Sequence, residues 1–220
     1  MARVPDDDNV PSIARLLALT DGVVAIALTL LVLQLQVPIE HDVNSPGDLW
    51  SALNVDGNEL TSYLVSFVVI AQFWLVHYRV LRGMKGHDEG LAWRNFAFLL
   101  ALTLMPFTSD LLGRYGGNPV ALTLFGLNLI AINLSTQWIS HYAASKKLLV
   151  DQRRSAHDEL AGRVRAALVV VIVLITITLA WTDPSLAKFG WVLFIFVPTS
   201  GERIARALER SRQGATSATG

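Results

Sequence analysis

Ionisable side chains are costly in hydrocarbon, so those set into long apolar stretches mark where a membrane chain can do chemistry. Three such groups stand out here. Arg15 and Asp21 lie in the opening turns of RLLALTDGVVAIALTLLVLQLQVP, residues 15–38, and His77 lies near the end of LTSYLVSFVVIAQFWLVHYRV. Thr20, beside Asp21, adds a hydroxyl, and Asn95, in the next apolar stretch, adds an amide. Residues of these types support two chemistries. Asp21 and His77 could relay protons, as in a proton-coupled secondary transporter. Alternatively, Arg15, Thr20, Asp21, His77 and Asn95 could satisfy one another as a network that fixes three helices together. A third reading has the charged groups merely reaching for the membrane surface along their aliphatic stems.

Each of these readings needs apolar elements to carry the residues, and the composition supplies them. Of the 220 residues, 52% are hydrophobic and only 16% are charged, against about 25% charged in soluble domains. The formal net charge is zero, so no global field favours nucleic acid. Cysteine is absent, which removes disulfides and thiol catalysis. The five histidines are scattered, without metal-ligand spacing. The GxxxxGK[ST], HExxH, GxSxG and GxGxxG motifs are missing. We therefore expect neither an enzyme nor a resident cofactor or metal. The acidic start, MARVPDDDNVPS, lacks the basic and apolar regions of a signal peptide.

Six stretches are long and apolar enough to cross a bilayer, which takes about 20 residues. They fall near 15–37, 59–81, 93–113, 119–143, 163–182 and 186–204. The expected fold is all-α, a polytopic membrane protein. It divides into a short N-terminal segment (1–14), a six-helix transmembrane domain (15–206) and a disordered tail (207–220). Residues 144–162, ASKKLLVDQRRSAHDELAG, read as a short amphipathic segment with helical character or as a solvated loop.

Basic residues favour cytoplasmic loops. With alternating crossings, only Arg114 and Lys188 of the 18 basic residues fall on one side. The loop at 38–58 on that side carries Glu40, Asp42, Asp48 and Asp56 and no Lys or Arg. The expected location is the cell membrane with both termini cytoplasmic.

At about 100° per residue, Ile26, Leu30 and Leu33 fall within about 60° of one another, with Asp21 well off their stripe. Such an aliphatic stripe can meet lipid or a neighbouring helix, or it can form a constriction that gates by dewetting. Spacing alone leaves both open.

The stretch from Arg15 to Leu33, RLLALTDGVVAIALTLLVL, resembles the R-x-x-x-F-S-D motif, and the A-I-A-x-T-L-L run after it, of the transmembrane protein 175 family. Leu19 and Thr20 replace the family's Phe and Ser; Thr keeps the hydroxyl and Leu keeps bulk. Phe73–His77, FWLVH, is similar to the end of that family's second helix, and Arg94–Phe96 with Met105–Thr108 to its third. Segments four to six agree only in number and hydropathy. The resemblance implies a potassium-permeable channel of prokaryotic membranes or animal endosomes and lysosomes. Prokaryotic members carry one six-helix unit and assemble as homotetramers, with the first helix lining the pore. By position, the hydrophobic constriction falls on Ile26, Leu30 and Leu33, with Thr29 as a pore-lining hydroxyl. Arg15, Thr20, Asp21, His77 and Asn95 would hold the first helix in place. The implied partners are potassium ions, copies of the same chain and membrane lipid.

Overall fold

The computed structural model describes residues 13–35, 45–48, 57–84, 86–146 and 156–183, together with 187 and 190. Six main helices are described: α1 (Ile13–Val32), α2 (Gly57–Arg82), α3 (Glu89–Thr103), α4 (Met105–Tyr115), α5 (Pro119–Ser145) and α6 (Ala156–Thr182). They form five candidate membrane spans, because α3 and α4 together make one, Glu89–Tyr115. The fold is all-α and polytopic, as expected. The sixth expected span, 186–204, lies mostly outside the described residues. Within it, Ala187 and Gly190 are helical and Ala187 is buried. The expected terminal segments, 1–14 and 207–220, also lie outside, apart from Ile13 and Ala14.

Three boundaries differ from the sequence reading, two of them for visible local reasons. The third segment is two helices, because Pro106 has no N–H to donate back to residue 102 and its ring crowds that turn; α3 ends at Thr103 and α4 begins at Met105. The first segment ends as a regular helix at Val32 and tightens into i→i+3 bonds, with the Leu33, Gln34 and Leu35 amides donating to the carbonyls of Leu30, Leu31 and Val32 at 3.2 Å. The 144–162 stretch is partly helix, since α6 begins at Ala156.

Side-chain caps fix two helix starts. Asp88 accepts the Leu91 amide at 2.8 Å to open α3. Asn118 accepts the Val120 amide at 2.9 Å to open α5, with Pro119 at its first position. Both satisfy amides that helix geometry leaves without a partner. The core runs through the middle of the bundle, with Ile70, Phe98, Leu102, Met105, Phe125, Leu129 and Ile132 fully buried. α1 packs on α2, α3 and α4. Its inward residues, Leu16, Thr20, Val24, Ala27 and Leu31, recur at spacings of three and four, which is one face of a helix.

Candidate functional site

Thr20 sits on that inward face, 1% exposed, where it meets α3. The Asn95 amide donates to the Thr20 hydroxyl at 3.1 Å, and Thr20 donates to the Leu16 carbonyl at 3.0 Å. The Asn95 carbonyl oxygen lies 2.8 Å from His77 Nε2. An amide oxygen only accepts, so Nε2 carries the proton. The His77 ring stacks on Phe98 with centroids 3.8 Å apart and an interplanar angle of 5°. Asn95 and His77 are fully buried. Three helices are thus joined by one connected set of hydrogen bonds. His77 Nδ1, buried, has no hydrogen-bond partner among the described residues.

Arg15 and Asp21 stand apart from this set. At about 100° per residue they are about 120° apart around α1, so they cannot meet when Thr20 points inward. Both are exposed, and they form no ion pair with each other among the described residues. This corrects the expectation that Arg15 and Asp21 pair within the network. Asp21 instead accepts the Trp74 indole N–H at 2.8 Å. Trp74 packs against Tyr78, and the Arg82 guanidinium lies 5.8 Å from the Tyr78 ring centre. Asp21 and His77 take separate partners, and no hydrogen bond joins them among the described residues.

Asn95 is further placed by its neighbour. The Arg94 guanidinium lies 3.8 Å from the Tyr142 ring centre and 4.7 Å from that of Trp138, both on α5. It also donates to the Gly90 carbonyl at 2.6 Å. The Tyr142 hydroxyl donates to the Asp88 cap at 2.6 Å. That hydroxyl, with the Leu91 amide and the Lys146 charge, holds the Asp88 carboxyl below its ordinary range. Stacked cation and ring contacts therefore lock the start of α3 to the end of α5.

Another face of α1, about 110° round from the buried one, is open. Ile26 is 60% exposed, Leu30 43% and Leu33 75%. Thr29 is exposed beside them, and its hydroxyl donates to the Ile26 carbonyl of its own helix at 2.8 Å. The aliphatic stripe is therefore uncovered within one chain, while the polar side of α1 is spent on α2 and α3.

Trp74, Phe98 and Gln34 were not foreseen as partners. Trp74 had a signal: it stands three residues before His77 on the same helix, so it can reach the turn beside Thr20. Phe98 is three residues after Asn95, which puts a ring where the imidazole arrives. Gln34, described below, had no signal beyond being an amide in an apolar run.

The TMEM175 family model, described as an endosomal/lysosomal potassium channel, matches residues 15–106. A protein of Streptomyces collinus named as a potassium channel is 31% identical over 176 residues, which is 78% of this chain and 84% of that one. A Chamaesiphon minutus protein, also named as a potassium channel, is 31% identical over 147 residues, 66% of this chain and 72% of that one. The human protein named as an endosomal/lysosomal proton channel is 28% identical over 153 residues, and the match spans 30% of its length. The fold is similar to the crystal structure of a lysosomal potassium-selective channel homolog from Chamaesiphon minutus. The TM-score is 0.73 at 24% identity, covering 86% of this chain and 97% of that one.

Proposed function

This chain belongs to the TMEM175 family of channels, and from that premise we propose that it is a potassium-permeable cation channel working by passive conduction. It is a multi-pass membrane protein. We place it in the cell membrane with both termini in the cytoplasm, on the strength of the basic-residue asymmetry.

The observation that carries the reading is the division of labour on α1. Thr20 and Asp21 bind it to α3 and α2, while Ile26, Leu30 and Leu33 stay uncovered. An uncovered aliphatic face on a helix so firmly held along its other faces suits a symmetric assembly. Four copies would bring these residues around a common axis as a dry neck, with Thr29 adjacent. Apolar rings offer an ion no dedicated ligands, and the chain has no TVGYG-type carbonyl filter, so conduction depends on the width and wetting of the neck. The network residues act on α1 and do not touch the ion.

Purified protein in potassium-loaded liposomes tests this. Potassium release on applying a gradient supports the reading. Release no faster than from protein-free liposomes, across voltages of both signs, would overturn it.

A further inference from the structure

Besides the Thr20 and Asp21 contacts of α1, the turn just past its end makes a further side-chain hydrogen bond to another helix. The Gln34 amide donates to the Pro106 carbonyl, in the first turn of α4. Two features make this a tether and not an incidental contact. Pro106 is in the first turn after the break in the third span, so the contact grips the start of α4 where the chain changes direction. Gln34 also sits on the tightened i→i+3 turn that carries Leu33. A short 3₁₀ stretch of this kind rotates side chains relative to the regular helix before it.

Direction follows from contact and exposure. The Gln34 side chain reaches α4, so it points into the bundle as Leu16, Thr20 and Leu31 do. Leu33, its neighbour, is 75% exposed and lies on the open face. The Gln34 bond therefore holds the segment that carries Leu33 against α4. The broken span is braced from α5 as well. The Asn128 amide donates to the Thr108 hydroxyl at 3.1 Å, and that hydroxyl lies 3.3 Å from the Leu104 and Met105 carbonyls on which it donates.

We infer that Gln34 is a positioning residue for the neck: its bond to Pro106 holds the Leu33 end of α1 back from the axis and keeps the constriction from closing. The inference rests on the proposed neck and names what sets its width. Losing one hydrogen bond of this kind shifts a two-position equilibrium by about two- to tenfold.

Because the chain has no cysteine, Leu33→Cys gives a single reactive thiol per copy. The test compares oxidative cross-linking between copies of L33C and of L33C with Gln34→Leu, both in liposomes, alongside potassium conductance of Gln34→Leu and the isosteric, donor-free Gln34→Glu. The expected result is cross-linking about two- to tenfold faster once Gln34 is replaced, with conductance lowered by a similar factor in both variants. Pro106→Ala, which heals the break, gives little further loss when combined with Gln34→Leu. Equal or slower cross-linking, or an unchanged or raised conductance in both variants, overturns the inference. No cross-linking in L33C itself removes the neck and the inference together. Absence of potassium flux in the wild type defeats only the conduction reading, since cross-linking still reports where Leu33 lies.

Discussion

Asn95 donates its amide to Thr20 at 3.1 Å across 75 residues of chain. The same side chain accepts from His77 with its oxygen. One short amide therefore satisfies a hydroxyl on α1 and an imidazole on α2 at once, in a place where water cannot.

Removing that amide leaves two partners stranded. Asn95→Leu keeps volume but supplies neither donor nor acceptor. The expected loss of unfolding free energy is about 1–3 kcal/mol, read by denaturant titration in micelles. Thr20→Ser keeps the hydroxyl and should cost less than about 1 kcal/mol. Equal costs for the two variants would contradict the network.

The Asp21 contact is separable from it. Trp74→Phe keeps an aromatic ring beside Tyr78 but loses the indole N–H to Asp21. It should destabilise by about 0.5–1.5 kcal/mol. Asp21→Asn retains an oxygen that can accept and should cost less. If Asp21→Asn were the more damaging of the two, the carboxylate charge would matter beyond the hydrogen bond described.

Stability should also fall on the acid side through Asp88. Its carboxyl is depressed in the folded chain, first by the Tyr142 hydroxyl. A depressed carboxylate contributes stability that is present above its unfolded value, about 4, and is lost as pH falls through the lower folded value. Asp88→Asn should flatten that part of a thermal-unfolding profile between about pH 2 and pH 5. A profile with the same acid slope in wild type and variant would show that Asp88 contributes nothing there.

Gly126 tests the packing of α5 on α6. A Cβ placed there would meet Ile177 and Val173 at 3.0 Å. Gly126→Val should destabilise by about 1–3 kcal/mol through overpacking. Gly22→Ala on α1, where nothing lies within 4 Å in one chain, should leave the fold of the single chain intact. Thermal unfolding of both variants in detergent makes the comparison.

Much of this was legible in the sequence for physical reasons. Apolar length and the asymmetry of Lys and Arg are strong constraints in a bilayer, so the spans through Thr182 were found. The grouping of Thr20, His77 and Asn95 followed from their common depth. The pairing of Arg15 with Asp21 did not, because depth ignores rotation. Thr20 and Asp21 are neighbours about 100° apart, so they must face different helices. The break at Leu104 was missed because hydropathy is indifferent to a Pro that sits well inside a long apolar run. The open stripe of Ile26, Leu30 and Leu33 was visible as periodicity, but only the burial of Thr20 and Leu31 shows which face of α1 is taken.

The most direct measurement of the central claim is single-channel recording in planar bilayers of wild type beside Ile26→Asn and Leu30→Asn. A dry aliphatic neck becomes easier to wet when an amide replaces its alkyl groups. Potassium conductance should therefore rise, by about threefold or more, in at least one of the two. Currents identical to wild type in both variants would contradict a neck formed by this face of α1.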